Sequence, residues 1–313
     1  PLPSGTILSI IDVPGHEKFV RNMVAGAAGI DMVLLVIAAD DGVMPQTREH
    51  LQICSILGIK HGLVALTKAD MVDDEWLKAT IEDIKGFLKG SFLEGAPVLP
   101  VSSVTGTGVQ ELISNIDSIA GAIKQRKAGD LLRLPVDRCF TIKGFGTVVT
   151  GTLVSGKIRV GDEVELLPEA IRARVRGVQI HGRHVEEGVA GSRVALNLQG
   201  VERDTIKRGD TVASPGMLTA TRTVELLISL LPSAPRPLKD GAEPMFHIYS
   251  ASTQATVTLL NSKEIKPGES VFARIRAREP MVALHGDRFV LRSSDAGTIG
   301  GGVVLDVNPP KRS

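Results

Sequence analysis

The sequence predicts an α/β domain with a parallel sheet, followed by two all-β units. Three observations carry this. Apolar runs alternate with helix-length patterns over the first 125 residues. From Leu134 onward these give way to short runs rich in Val, Ile, Leu and Thr, broken by glycine turns. The charge divides at the same place: residues 1–125 carry a net −6 and residues 126–313 a net +7, within an overall +1. Strands separated by helices make βαβ units, and a basic remainder behind an acidic first part points to an anionic partner.

The elements follow in order. Thr6–Asp12 is a short apolar run, expected as the first strand, and Glu17–Ala28 is helix-like. Met32–Ala39 is a continuous apolar run bounded by acids, as expected of a strand buried on both faces. Pro45 stands at a first helical position, Gln46–Leu57 follows, and Gly58 lies just past the end. Leu63–Leu66 is a second buried strand. Asp73–Lys89 is a helix with acids in its first turn, Val98–Val101 a strand, and Val109–Lys124 a helix. Beyond Arg126 no helix-length period appears. Turns at Lys143–Gly146, Ser155-Gly156, Val160–Asp162 and Arg208–Asp210 space many short strands, a barrel or a sandwich. Ser214-Pro-Gly and the Pro-rich Leu231–Pro237 suggest a second boundary. The expected division is 1–125, 126–216 and 217–313.

Composition narrows the function classes. With 313 residues, 43% hydrophobic and 23% charged, disorder and collagen-like repeats are excluded. The longest apolar run falls far short of the roughly 20 residues of a membrane span. Two distant cysteines, Cys54 and Cys139, make neither a disulfide framework nor a metal spacing and fit a reducing cytosol. The chain opens on Pro1 rather than Met, as a fragment would.

Three loops carry chemistry. Asp12-Val-Pro-Gly-His16 follows the first expected strand. Ligands of open α/β sheets sit beyond the carboxyl ends of strands, where an Asp can hold a metal through water and a Gly lets backbone N–H approach phosphate. Taken alone, it is equally a turn before a helix. Thr67-Lys-Ala-Asp70 follows the Leu63–Leu66 strand. A carboxylate there can accept from both N1–H and N2–H₂ of guanine, a donor pair that adenine lacks, while the Lys68 stem can pack along base and sugar. Ser102-Ser-Val follows the next strand, where it could touch the guanine oxygen.

In order and placement these loops resemble the switch II, guanine-specificity and serine loops of a translational GTPase. Asp12-x-x-Gly15, Thr67-Lys-x-Asp70 and Ser102-Ser103 match those motifs. His16–Gly29 and the run Asp41-Gly-Val-Met-Pro-Gln-Thr-Arg-Glu-His50 extend the match to the elongation factor Tu class. Within it the chain is most similar to the bacterial selenocysteine-specific elongation factors. Thr67 stands where the general factor has Asn. Val136–Gly151, Arg176–His181 and Ala190–Leu198 resemble that family's second domain, and Gly286–Arg292 and Gly300–Asp306 its third.

The resemblance implies a truncated α/β P-loop-type GTPase domain followed by two β-barrel domains. It implies GTP and Mg²⁺ as cofactors, with Asp12 holding Mg²⁺ through water, Gly15 meeting the γ-phosphate and His16 orienting the attacking water. Thr67, Lys68, Asp70, Ser102 and Ser103 would bind the guanine. The phosphate loop Gly-x-x-x-x-Gly-Lys-[Ser/Thr] and switch I are not in these residues; the family carries them upstream, so this chain is expected to be impaired in GTP binding and hydrolysis on its own. The implied partners are selenocysteinyl-tRNA, the ribosome and, through winged-helix domains that follow in the family, a messenger hairpin. The expected state is a cytoplasmic monomer with no membrane contact.

Two further sets of residues belong to the basic half. Arg172, Arg174 and Arg176 alternate on one strand face, as do Arg274, Arg276 and Arg278. On barrels that resemble tRNA-binding ones, they are phosphate contacts; the competing reading is a solvated face paired with glutamates. By resemblance, Asp137, Arg138 and Arg193 border an aminoacyl pocket. There, cations would favour an ionised selenol over a seryl hydroxyl, unless they pair with Asp137 or Glu163 as scaffold. A general aminoacyl-tRNA carrier and a tRNA-binding module without GTPase activity are the alternatives. Thr67 and the Asp137-Arg138 pair argue against the first. His181, His184 and His247 show no ligand spacing.

Overall fold

A computed structural model of the chain describes residues 2–12, 24, 29–123, 129–144, 146–295 and 297–310. The chain divides into two compact units, one holding Ile30–Gln125 and the other Arg126–Ser313.

The first unit is a parallel sheet of β1 (Met32–Ala38), β2 (His61–Thr67) and β3 (Val98–Pro100), in that order. Ala38 lies opposite Thr67 and Leu66 opposite Pro100, so the carboxyl ends of all three strands meet along one edge. Helices α1 (Pro45–Ile56) and α2 (Asp74–Leu88) fill the connections, and α3 (Val109–Ala122) follows β3. Local chemistry sets their starts. Pro45 needs no N–H partner in the first turn of α1. At α2, Asp73 caps by accepting from the Trp76 N–H at 2.8 Å, and Asp74 and Glu75 face the positive helix end. Leu35, Ile37, Val64, Leu66, Ile84 and Leu88 form the core.

Two sequence expectations are corrected here. Thr6–Asp12 forms no strand: Ile7 and Ile10 are 75% and 90% exposed. An apolar run becomes a strand only when a ladder partner and an apolar cover accept it, and neither is supplied among the described residues. Asp12 therefore does not stand at a strand end. Met32–Ala39 is buried on one face only. β1 ladders with β2 alone among the described residues, and Val36 is left 56% exposed while Leu35 and Ile37 are buried. The helix expected over Glu17–Ala28 lies outside the described residues except for Val24, which is helical and buried.

The second unit is antiparallel throughout. Its first sheet runs β4 (Arg133–Pro135), β13 (Thr211–Ala213), β8 (Glu163–Leu167), β9 (Ile171–Ile180), β12 (Arg193–Gln199), β6 (Gly146–Thr152) and β5 (Arg138–Ile142). β10 (Arg183–Val185) pairs with β9, and β7 (Lys157–Arg159) pairs with β11 (Glu187–Val189). The sheet rolls around Leu134, Val149, Val164, Val178 and Leu196. Among the described residues a single Arg133–Ser155 bridge draws its first strand towards the end of β6, so there it is a half-barrel with β5 as an open edge. The second sheet closes fully as β14 (Thr221–Leu230), β19 (Ser270–Met281), β17 (Ala251–Leu259), β16 (Met245–Ile248), β20 (Arg288–Ser293) and β21 (Gly297–Asp306). Short strands β15 (Leu238–Lys239) and β18 (Glu264–Ile265) pair outside it. Phe246 and Phe289 stack at 5.0 Å in its core. Gly302 explains part of the Gly300-Gly-Gly run: a β-carbon there would overlap the Leu227 carbonyl of β14.

A buried ion pair joins the two sheets. Arg133, 2% exposed, donates to both carboxylate oxygens of Asp287 at 2.9 and 2.8 Å and to the Val282 carbonyl at 3.1 Å. Its guanidinium lies 4.3 Å from the Tyr249 ring, whose hydroxyl donates to Asp287 at 2.8 Å. Leu167, Ala213, Leu218 and Val282 pack beside the pair.

Candidate guanine-nucleotide and tRNA sites

The first candidate site lies at the shared carboxyl edge of β1, β2 and β3. Thr67 ends β2, and its hydroxyl donates to the Ile37 carbonyl at 3.3 Å, tying the two strand ends together. Lys68 follows in the left-handed conformation, φ 56°, which non-glycine residues adopt at a cost. Its ammonium reaches across to β1, donating to both carboxylate oxygens of Asp40 at 3.0 and 2.7 Å, with Asp41 at 3.8 Å. The hydrogen bond from Lys68 holds the Asp40 carboxyl below the usual carboxylate range, and Asp40 raises the Lys68 ammonium in return. Asp70 sits in the helical turn Ala69–Met71, exposed and without an ion pair among the described residues.

The serine loop docks against this turn. The Ala69 N–H donates to the Val101 carbonyl at 3.2 Å. Ser102 is buried, and its hydroxyl accepts from the N–H groups of Val104 and Thr105 at 3.2 and 3.1 Å. It therefore shapes its own loop, while Ser103 faces outward. Three of the sequence-predicted elements of a guanine site thus share one edge: Thr67–Asp70, Ser102 and Ser103. Asp12 is exposed in the segment before residue 13, and Gly15 and His16 lie outside the described residues. Asp40 was legible only as an acid bounding an apolar run, and Asp41 also as the first residue of the Asp41–His50 run. Their hold on Lys68 depends on β1 and β2 being neighbours.

The second candidate site lies on the half-barrel. The Asp137 N–H donates to the Thr150 carbonyl at 2.9 Å, and the Thr150 hydroxyl returns a bond to the Asp137 carboxylate at 2.6 Å. Its other oxygen accepts from Arg193 at 2.5 Å. Asp137 thus orients Arg193, the pairing that a scaffold would use. Arg138, opposite Thr150 on the open edge strand β5, is exposed with no ion pair among the described residues. Thr150 was missed in the sequence; no motif marks a hydroxyl that matters through a cross-strand register.

The arginine stripes differ from each other. Arg172, Arg174 and Arg176 are all exposed on β9. Glu163 and Glu165 stand opposite Arg174 and Arg172, but Glu165 is buried and accepts from the Gly216 N–H at 3.0 Å. Arg174 and Arg176 make neutral contacts with the Gly161 carbonyl and Gln199. On β19, Arg274 is largely buried against Glu225 at 2.7 Å, so its charge is already matched. Arg276 and Arg278 are exposed and line an open cleft with Arg222, Glu243, Gln254 and Thr256. Among the described residues no group of three His, Cys, Asp or Glu could hold a metal ion, and no helix is long and apolar enough to cross a membrane.

Comparison with known proteins gives three consecutive family matches. Residues 4–122 match the elongation factor Tu GTP binding domain, 146–213 match elongation factor Tu domain 2, and 225–311 match the selenocysteine-specific elongation factor beta-barrel domain. The chain is 49% identical over 300 residues to the selenocysteine-specific elongation factor of Desulfomicrobium baculatum, covering 96% of this chain and 47% of the relative. It is 37% identical to that of Haemophilus influenzae, covering 98% and 48%. It therefore spans about half the length of the curated relatives it matches. Among solved structures, a bacterial selenocysteine-specific elongation factor superposes with a TM-score of 0.84 at 32% identity, covering 96% of this chain and 50% of that one. The translation elongation factor SelB from Methanococcus maripaludis in complex with the GTP analogue GppNHp gives 0.83 at 28% identity, covering 95% and 70%.

Proposed function

We propose that the chain is a piece of a selenocysteine-specific elongation factor, the protein that its family matches and relatives point to, and that it forms part of a GTPase that carries selenocysteinyl-tRNA to the ribosome. The observation that bears most weight is the Asp70 carboxylate, unpaired among the described residues. It sits at the end of β2, between a lysine held in a left-handed turn and a docked serine loop. A carboxylate so placed accepts the two guanine donors, and adenine has no matching pair.

In this proposal Thr67, Lys68, Asp70, Ser102 and Ser103 bind the base. Asp12 holds Mg²⁺ through water, Gly15 meets the γ-phosphate, and His16 orients the attacking water. Mg²⁺ keeps several waters and borrows its other ligands from phosphate. A single exposed carboxylate such as Asp12 therefore suits it without a protein cage. When bound, the ion would neutralise charge on the phosphates.

The tRNA would lie on the basic unit. Exposed Arg172, Arg174, Arg176, Arg276 and Arg278 would meet its phosphates, and Arg274 would act through Glu225 as part of the wall. Asp137, Arg138 and Arg193 would form the aminoacyl pocket, Arg138 contributing the exposed cation and Asp137 fixing Arg193. The division 1–125, 126–216 and 217–313, a monomeric state, a messenger hairpin read by further domains and a cytoplasmic setting complete the proposal.

Equilibrium competition among GTP, ATP and xanthosine triphosphate tests the base-reading half. GTP should displace a labelled guanine nucleotide at the lowest concentration, and equal displacement by ATP would refute it. Competition between selenocysteinyl- and seryl-tRNA separates this function from a general aminoacyl-tRNA carrier.

A further inference from the structure

We propose that Asp40 is a positioning residue of the base-reading loop: it captures the Lys68 ammonium, lays the Lys68 stem across the seam between β1 and β2, and keeps the cation off Asp70. This deepens the guanine-binding function proposed above and rests on it.

Lys68 has two sets of carboxylates within its reach. Asp70 is two residues on, in the same turn. Asp40 and Asp41 follow β1, which the parallel register places beside the end of β2. A lysine drawn to Asp70 would occupy the oxygens that must accept from the guanine edge. The ammonium instead takes both oxygens of Asp40, with Asp41 as a more distant second partner. Asp70 enters no ion pair among the described residues. Lys68 takes the left-handed conformation just past β2, and the Ala39 N–H donates to the Thr67 carbonyl at 2.8 Å, tying together the residues that precede the two ends of the contact.

The contact is not a stability device. Both side chains are substantially exposed, 45% and 30%, and exposed ion pairs contribute little to folding. Its effect is on which carboxylate stays open. Asp40 therefore acts through Lys68, and the signature of its loss is weaker discrimination of the guanine amino group rather than unfolding.

The test uses the whole chain, labelled for NMR and titrated with GMP and with IMP, which lacks the 2-amino group. The wild type should favour GMP about tenfold, the value of one hydrogen bond to a charged acceptor. Asp40→Ala should cut that ratio to about threefold or less with an unchanged melting temperature. In a Lys68→Met background, adding Asp40→Ala should leave the ratio unmoved. An unchanged ratio in Asp40→Ala, or an equal loss in both backgrounds, overturns the proposal. A wild type with no preference for GMP over IMP would instead refute Asp70 as the reader of the base. A crystal structure of ligand-free Asp40→Ala then tests the lysine's movement alone: Lys68 within 4 Å of Asp70 supports the capture, and Lys68 remaining beside β1 ends it.

Discussion

Replacing Asp287 by alanine tests the buried ion pair between the two β sheets. In the folded protein Asp287 accepts two bonds from Arg133, one from the Tyr249 hydroxyl and one from the Leu284 N–H at 2.7 Å. Alanine removes all four. The Arg133 guanidinium is then buried with the Val282 carbonyl and the Tyr249 ring as its remaining partners. Removing one partner of a buried pair costs about 3–5 kcal/mol, because the remaining charge is uncompensated. The tyrosine and amide losses overlap with this cost rather than adding to it. For a unit of nearly 190 residues, such a loss lowers the melting temperature by roughly 10 °C. Differential scanning calorimetry of the variant measures it. The paired replacement Arg133→Met with Asp287→Leu removes both charges and should recover most of the loss, since apolar substitutes of similar volume often match a buried ion pair. A single variant that melts within about 2 °C of wild type, or a double variant less stable than the single, would refute the reasoning.

Four further outcomes are expected. Asp70→Asn should shift preference from GTP towards xanthosine triphosphate, whose 2-oxo group suits an amide donor; unchanged preference in a competition assay would mean Asp70 does not read the base. Arg138→Ala should weaken selenocysteinyl-tRNA binding about a hundredfold, with seryl-tRNA little affected. The gap should close at a pH low enough to protonate the selenolate, and equal loss for both tRNAs would make Arg138 structural. Gly302→Ala should destabilise the closed barrel by at least about 2 kcal/mol in a denaturant melt, because its β-carbon meets the backbone of β14. Asp210 is buried, and burial raises its carboxyl above the usual value. Folding then favours the protonated form, a contribution present in acid and lost as pH rises through the raised pKa. Asp210→Asn should therefore melt higher than wild type at pH 7, with the difference shrinking towards acid; a constant difference would contradict this.

Much of the architecture was legible because its causes are local. Pro45, the Asp73 cap and the acids after it determine where α1 and α2 begin. The spacing of apolar runs placed β2 and β3, and with them Thr67–Asp70 and Ser102-Ser103 at strand ends. The change to all-β after Arg126 followed from glycine turns and short β-branched runs. What the sequence could not determine involves partners distant along the chain. Thr6–Asp12 has the composition of a strand, yet none forms, because pairing is a property of neighbours rather than of a run. Alternation put Arg274 and Arg276 on one face, but only the register of β14 with β19 sets Glu225 opposite Arg274 and leaves Arg276 exposed. Likewise Arg133 and Asp287 are 154 residues apart, and nothing in either segment pairs them. The tertiary structure made them a buried pair, and it brought Asp40 to Lys68 by laying β1 beside β2. Electrostatic energy depends on distance and burial, and neither is written in sequence separation.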